Sequence, residues 1–210
     1  MFWWLMLAIA IPAYFVGGVN GAIITSISIY RKDIRRYGSG NPGLTNFYRV
    51  FGKGFAALVI AIDVMKSVAP VLLGGWLCAH FLLTGQRMFG RELAGFFVML
   101  GHCFPLFYRF MGGKGVMALG TVLFIIDWRI ALLGWGVFAL TALLTRYISL
   151  GAILGSLAYP AAIVIFDLGG AREFLVALAC AALLIARHHE NIRRLIAGKE
   201  SKFSFLRSKK

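Results

Sequence analysis

Acidic residues are scarce in this chain of 210 residues. Asp and Glu number eight against 22 Lys and Arg, and charged side chains make up only 14% of the sequence, whereas apolar residues make up 60%. A water-soluble fold of this size could not cover so much apolar surface with so few charges. We therefore predict an integral membrane protein, because surfaces that face lipid need no polar cover.

Cysteine is also rare, and the motifs of several enzyme classes are missing. Cys78, Cys103 and Cys180 lie in apolar surroundings without CxxC spacing, which indicates buried thiols. The HExxH motif is absent, since the run His188-His189-Glu190 has the wrong order for it. The GxSxG motif is absent too. We expect neither a metal nor a cofactor.

Seven apolar segments follow one another along the chain, at about 3–30, 55–83, 93–104, 116–126, 130–145, 148–166 and 173–186. A helix needs roughly 20 apolar residues to cross a bilayer, so the third segment suggests a half-inserted or broken helix. Polar residues such as Gln86, Arg87, Arg91 and Glu92 are assigned to the loop before it. The expected fold is an all-α bundle of about seven transmembrane helices, forming a single domain over residues 1–210.

Basic residues concentrate on one face of this topology. With seven spans, the loops at 31–53, 105–115 and 146–147 share a face with the C-terminal tail and carry 17 Lys and Arg, against four on the opposite face. Because cytoplasmic loops gather Lys and Arg, the basic face is predicted to be cytoplasmic and the N-terminus outside. This topology accounts for the net charge of +14, and the basic loops are expected to have anionic membrane lipids as partners. We do not expect nucleic-acid binding.

The first polar loop contains the run Ser39-Gly40-Asn41-Pro42-Gly43-Leu44-Thr45-Asn46, with Arg49 and Lys53 behind it. Glycines allow a positive φ that leaves backbone N–H groups facing outward. Backbone amides together with cations bind phosphate without a dedicated cofactor. The alternative is a plain turn between two helices.

A second polar segment combines Gly101-His102 with the run Gly112-Gly113-Lys114-Gly115. A Gly-Gly-Lys-Gly run at the start of a helix is typical of a short phosphate-binding nest with a lysine inside it. The GxxxxGK[ST] spacing of a Walker A loop is absent. The alternative is a flexible turn with an interfacial lysine, but loose glycines at a membrane surface cost ordering entropy, which favours a function.

The third polar segment, Arg187 to Leu195, follows the last apolar run. On a helix, His188, Asn191 and Leu195 share one face, and Arg187, Asn191 and Arg194 lie close together. This spacing is compatible with a polar stripe that enters a site. Taken alone, however, the segment fits better a solvated cationic helix end, which the helix dipole and anionic lipids both favour.

Asp63 and Lys66 stand three residues apart inside the second apolar run. Ions inside a membrane are costly, so they pair with each other or line a polar cavity. A structural i, i+3 pair and a site-lining pair are both compatible with this spacing.

Taken together, these segments resemble the bacterial membrane acyltransferases that use acyl phosphate to acylate glycerol 3-phosphate, the PlsY family. The resemblance covers nearly the whole chain and includes Arg146-Tyr147-Ile148-Ser149-Leu150 and the Asp63/Lys66 pair. Its most specific parts are Gly38 to Asn46 with Arg49 and Gly52-Lys53, Gly101-His102 with Phe104-Pro105 and Gly112 to Gly115, and Arg187-His188 with Asn191-Ile192, Arg194-Leu195, Gly198 and Glu200. Two positions depart from the family pattern, where Met111 replaces a lysine and Ser67 replaces a glycine.

The resemblance implies one reaction: acyl phosphate and glycerol 3-phosphate give lysophosphatidic acid and phosphate, the first acylation in phospholipid synthesis. It implies a bacterial inner-membrane enzyme with its active site on the cytoplasmic face and no covalent acyl-enzyme. The implied catalytic residues are Ser39, Arg49, Lys114, His188 and Asn191. The implied substrate- or phosphate-binding residues are Gly40, Asn41, Gly43, Thr45, Asn46, Lys66, His102, Gly112, Gly113, Ser149 and Arg187. The general base is either His188 or a substrate phosphate.

Two other classes of protein share part of this pattern. A transporter of a phosphorylated or anionic solute would use the same basic loops, but it needs a polar path, and the predicted outer half offers few ions to line one. A scaffold protein would bind no phosphate. No motif indicates an oligomeric state.

Overall fold

The computed structural model describes residues 2–82 and 86–203, and all regular structure in these ranges is helical. This confirms the predicted all-α class. The chain divides into two compact units, one within residues 1–126 and the other within residues 127–210. The single domain expected from the sequence stays a prediction.

The first unit contains α1 (Phe2–Gly17), α2 (Gly21–Tyr30), α3 (Leu44–Phe51), α4 (Ala56–Phe81), α5 (Arg87–Cys103) and α6 (Val116–Ile126). Two short 3₁₀ turns, Ile34–Arg36 and Leu106–Tyr108, lie in its loops. The second unit contains α7 (Trp128–Thr145), α8 (Ile148–Ile165), α9 (Ala171–Arg187) and α10 (His189–Ile196).

Four stretches in the described residues are long and apolar enough to cross a membrane: Phe2–Tyr30, Ala56–Phe81, Trp128–Thr145 and Ile148–Ile165. Helix α6 is apolar but has only 11 residues, and α5 and α9 have 17 residues each. These helices follow the order of the seven predicted segments. The count of seven spans and the outward N-terminus stay predictions.

The first apolar segment is broken, where one continuous span was expected. Helix α1 ends at Gly17 and α2 begins at Gly21. The side chain of Asn20 caps α2 by accepting a hydrogen bond of 2.9 Å from the backbone N–H of Ile23. A side-chain cap of this kind satisfies a helix N-terminus that would otherwise leave N–H groups bare inside the protein.

The third apolar segment is also corrected, because it is not broken and because Arg87, Arg91 and Glu92 of the predicted loop belong to its helix. Helix α5 is continuous and begins at Arg87. Its polar first turns have helical partners: the guanidinium of Arg91 donates to the carbonyl of Ile125 at the end of α6, at 2.8 Å. Two predicted features lie partly outside the described residues. They are the basic tail, with its charges at Arg207, Lys209 and Lys210, and the end of the second segment at Leu83.

Close helix crossings in the first unit depend on glycine. A Cβ atom on Gly101 of α5 would collide with the carbonyl oxygen of Tyr14 in α1. Helices α4 and α5 cross at Gly74 and Gly90, where a Cβ on either residue would run into the other's backbone. Small residues let helices in lipid associate through close backbone contact. The crossing at Gly101 therefore holds the C-terminal end of α5, which carries His102, against α1, and the crossing at Gly90 holds the N-terminal end of α5 against α4.

Candidate active site

A buried ion cluster lies where α4 meets the break between α1 and α2. The ammonium nitrogen of Lys66 is 2.8 Å from Oδ1 of Asp63, 2.6 Å from the carbonyl oxygen of Val19 and 2.7 Å from Nδ1 of His102. The Lys66 side chain is only 3% exposed. An ammonium group has three N–H donors, and these contacts account for all of them. The i, i+3 pair with Asp63 is thus present, and the substrate- or phosphate-binding role that the resemblance implies for Lys66 stays a prediction.

His102 holds the Gly112–Gly115 loop at the end of α5. The backbone N–H of Gly113 donates to the carbonyl oxygen of His102 at 3.0 Å. A Cβ on Gly113 would collide with Nε2 of the His102 ring, so this close approach requires glycine. Lys114 follows and is half-buried, two residues before the start of α6. The structure thus brings His102, Gly112 and Gly113 together, as the sequence analysis grouped them.

The loop before α3 is organised by the buried side chain of Asn46. Its Oδ1 accepts from the backbone N–H of Ser39 at 2.9 Å, and its Nδ2 donates to the carbonyl of Tyr37 at 3.0 Å. Gly40 turns the chain with a φ of +73° and donates to the same carbonyl. Asn46 therefore shapes the loop, while Ser39, Thr45 and Arg49 are exposed and Asn41 and Gly43 are half-buried.

Two contacts connect the polar loops of the first unit. Nδ2 of Asn20, in the α1–α2 break, donates to the carbonyl of Pro42 at 3.1 Å. Arg35 pairs with Asp33 at 2.7 Å and also donates to the carbonyl of Tyr108 at 3.2 Å. The hydrogen bond from Arg35 lowers the pKa of the Asp33 carboxyl, so the pair is charged at neutral pH. The first and second polar loops consequently lie side by side.

Glu200 is the centre of a polar cluster in the second unit. Its Oε1 accepts from Oγ of Ser149 at 2.7 Å and from Nδ2 of Asn191 at 2.6 Å, and its Oε2 accepts from Nε of Arg194 at 2.7 Å. Burial by itself would raise the pKa of Glu200, but the hydrogen bonds from Asn191, Ser149 and Arg194 outweigh burial and lower it. The carboxylate therefore joins the start of α8 to α10.

A turn after α10 brings Glu200 to this position. Gly198 adopts a φ of +66°, and its N–H donates to the carbonyl of Leu195 at 3.1 Å. The backbone N–H of Phe203 then donates to the carbonyl of Arg146, in the α7–α8 turn, at 2.8 Å. Gly198 ends the helix in the left-handed region that favours glycine, and the following residues return to the start of α8.

His188 lies at the junction of α9 and α10, with only 3% of its surface exposed. Its Nδ1 is 2.8 Å from the carbonyl oxygen of Leu184. A carbonyl only accepts, so Nδ1 carries the hydrogen and Nε2 is the acceptor nitrogen of the neutral ring. Arg187 precedes it and is half-buried.

Two residues that organise these polar contacts have no role in the sequence analysis from their local pattern. Asn20 is one of them, although a cap residue among glycines within an apolar run is a local signal for a helix break. Glu200 entered the sequence analysis only as part of the resemblance. In the described residues, no group of three His, Cys, Asp or Glu side chains is arranged to hold a metal ion.

Comparison with known proteins identifies a family for this chain. Residues 7–198 match the glycerol-3-phosphate acyltransferase family. The chain is 39% identical to the glycerol-3-phosphate acyltransferase of Thermoanaerobacter pseudethanolicus, over 92% of this chain and 93% of that protein. It is 37% identical to the enzyme of the same name from Photobacterium profundum, over 94% of this chain and 93% of the relative.

Solved structures agree as well. The crystal structure of PlsY (YgiH), an integral membrane glycerol 3-phosphate acyltransferase, in its glycerol 3-phosphate form is 32% identical, with a TM-score of 0.82 over 95% of this chain and 96% of that one. Its lysophosphatidic acid form gives a TM-score of 0.79 at 30% identity, over 95% of each chain. The predicted resemblance is confirmed, and the chain is an integral membrane protein that belongs to the glycerol-3-phosphate acyltransferase family.

Proposed function

We propose that the protein transfers an acyl group from acyl phosphate to the 1-hydroxyl of glycerol 3-phosphate and releases phosphate and lysophosphatidic acid. The observation that carries the proposal is the similarity, over 95% of the chain, to an acyltransferase solved in glycerol 3-phosphate and lysophosphatidic acid forms. The glycine loop around Lys114 and the polar clusters at Lys66 and Glu200 supply the kind of groups that this chemistry needs.

The chemistry requires little covalent help from the protein. Acyl phosphate is a mixed anhydride with phosphate as a good leaving group. The substrate hydroxyl oxygen attacks the carbonyl carbon, the bond between that carbon and the phosphate oxygen breaks, and the hydroxyl proton leaves. Positioning of the two substrates and stabilisation of the developing negative charge are therefore the main tasks of the enzyme.

Phosphate binding is assigned to the polar loops of the first unit. The side chains of Ser39, Arg49 and Lys114 are proposed to contact phosphate oxygens. Cationic side chains and backbone N–H groups form charge-assisted hydrogen bonds with phosphate, which are stronger than neutral ones. The residues proposed to let the backbone and small polar groups approach the phosphates are Gly40, Asn41, Gly43, Thr45, Gly112 and Gly113.

Orientation of the reacting hydroxyl is assigned to His188 and Asn191. A carboxylate only accepts hydrogen bonds, so the contact with Glu200 fixes Nδ2 of Asn191 toward that group and makes Oδ1 the acceptor for a substrate hydroxyl. Nε2 of His188 is an acceptor as well. We propose that both atoms orient the hydroxyl, that Ser149 and Arg187 support them, and that a substrate phosphate oxygen takes the proton.

Glu200→Gln is expected to lower kcat by about tenfold. The glutamine NH₂ group would replace one accepting carboxylate oxygen and would face a donor of the cluster, so the side chain of Asn191 would no longer be held in place. Steady-state kinetics on the purified variant measure the loss. Glu190→Gln is the matched control, since that carboxylate lies in α10 and is also near Arg194, at 3.8 Å, but is 64% exposed. Equal activity in both variants would contradict the role given to Glu200.

The stability of the second unit should also depend on pH through Glu200. Its pKa is lowered from an ordinary value of 4.5, so its stabilising contribution is fully present above that value and is lost as the pH falls through the lowered folded-state value. The thermal unfolding temperature should therefore fall at acid pH in the wild type, and part of this fall should be missing in Glu200→Gln.

The site is proposed to face the cytoplasm of a bacterial inner membrane. The phosphates would lie at the basic loops, and the acyl chain would lie among apolar helices in contact with membrane lipids. A cysteine introduced at the exposed Ser39 or Lys199 should react with a membrane-impermeant maleimide in inverted vesicles and not in intact spheroplasts. Labelling in spheroplasts would contradict this orientation.

The donor is tested directly by comparing acyl phosphate with acyl-CoA. Purified protein, incubated with glycerol 3-phosphate and either donor at equal concentration, should form lysophosphatidic acid from acyl phosphate only. Product formed equally well from acyl-CoA would overturn the donor assignment while leaving the acceptor in place.

A further inference from the structure

Lys66 connects three parts of the first unit that are distant in sequence. It lies on α4, contacts Asp63 one turn earlier, and reaches the carbonyl of Val19 in the α1–α2 break and the ring of His102 at the end of α5. Of these groups, His102 also bonds to the polar loop that follows α5, because its backbone carbonyl accepts from the N–H of Gly113. The ring of His102 is therefore the route by which Lys66 can influence that loop.

The partners of Lys66 determine the hydrogen position on His102. Asp63 and Lys66 are both buried and 2.8 Å apart, and buried charges persist as compensated pairs, which favours a charged lysine. A charged lysine only donates, so Nδ1 of His102 must accept at 2.7 Å. The ring is then neutral and carries its hydrogen on Nε2.

Nε2 is the side of the ring that touches the glycine loop. A Cβ on Gly113 would collide with this atom, and the N–H of Gly113 donates to the carbonyl of the same histidine. The ring and the backbone of His102 thus hold Gly113 from two directions. A rotated ring would have to displace the loop residue that directly precedes Lys114.

We propose that Lys66 and His102 are positioning residues for phosphate binding. Lys66 fixes the orientation and the hydrogen position of the His102 ring, and the ring fixes the Gly112–Gly115 loop that presents Lys114. This inference rests on the proposed function, and it deepens it by replacing a direct phosphate contact of Lys66 with an action through His102. Loss of the pair should weaken phosphate binding more than it slows chemistry.

The test uses the double variant Asp63→Asn/Lys66→Met, which removes both charges and leaves no uncompensated buried ion. Inorganic phosphate, a product of the proposed reaction, is the probe. Its inhibition constant should rise by about tenfold or more, as for the loss of one charge-assisted hydrogen bond, while kcat stays within about threefold. Ser67→Ala is the matched control, because Ser67 is buried on the same helix and its hydroxyl donates to the backbone carbonyl of Asp63, at 2.9 Å, within that helix.

A second pair of variants keeps the inference testable if the double variant does not fold. His102→Asn retains an acceptor for Lys66 near the position of Nδ1, whereas His102→Leu has none. The inhibition constant for phosphate should therefore be at least about threefold lower in His102→Asn than in His102→Leu. This difference corresponds to a fraction of the free energy of one hydrogen bond. Equal constants in both, or an unchanged constant with only a lower unfolding temperature in the double variant, would overturn the inference.

These outcomes differ from a failure of the proposed function. If the wild type forms no lysophosphatidic acid from acyl phosphate, the function is wrong, whatever the variants do. If the wild type is active and the variants keep wild-type phosphate inhibition, only the positioning role is wrong.

Discussion

Lys114→Ala is expected to lower kcat/KM for acyl transfer from palmitoyl phosphate by at least tenfold, and by about 10²–10³ if it meets charge that develops during the reaction. The reason is that Lys114 directly follows Gly113, whose backbone N–H is hydrogen-bonded to the carbonyl of His102, so the loop that carries the lysine is held in place. Arg49→Ala is expected to lower the same quantity by more than about tenfold, since one charge-assisted hydrogen bond is worth this much. Steady-state kinetics in detergent measure both.

Arg109→Ala is the control for Lys114→Ala. Arg109 lies in the same loop and carries the same charge, but its side chain is exposed and we give it no contact with substrate. Its loss should change kcat/KM by less than about threefold, as expected for an exposed charge. Near-normal turnover in Lys114→Ala, with the protein still folded, would refute the phosphate-binding role of that lysine.

His188→Ala is expected to lower kcat by about 10² or more, whereas His188→Gln should retain activity within about tenfold of the wild type. The glutamine oxygen can accept a hydrogen bond from the substrate hydroxyl, but it cannot take up the proton. The two variants therefore separate orientation of the hydroxyl from general base catalysis. The measurement is kcat with both substrates saturating.

His189→Ala is the matched control, because His189 is the exposed next residue, at the start of α10, and its Nδ1 also lies near a backbone carbonyl, that of Ala186 at 3.0 Å. It should leave kcat unchanged. An equal loss of about 10²–10⁴ in both His188 variants would identify His188 as the general base and remove the substrate phosphate from that role.

The helices could be predicted because their signal is local. Most apolar runs produced one helix within a few residues of its expected limits, and short Gly-rich runs fell between helices. The errors arose where polar residues end or extend a helix: Asn20 begins a new helix inside the first run, and α5 begins six residues before the third run. Arg87 and Arg91 are part of α5 because Arg91 caps the end of α6, 34 positions away, and no local pattern shows such a partner.

The site residues could be grouped from the sequence, but their partners could not. Lys66 bonds to the carbonyl of Val19, 47 positions away, and to His102, 36 positions away. A spacing rule for one helix predicts the pair with Asp63 and nothing beyond it. Glu200 likewise meets Ser149 across 51 positions, because a left-handed turn at Gly198 redirects the chain.

The decisive measurement is the amount of lysophosphatidic acid and of phosphate formed together when the purified protein in proteoliposomes receives acyl phosphate and glycerol 3-phosphate, without acyl-CoA. Both products should appear in equal amounts, and neither should exceed background when glycerol 3-phosphate is omitted. Uptake of glycerol 3-phosphate into the vesicles without conversion to either product would contradict acyl transfer and identify a transporter instead.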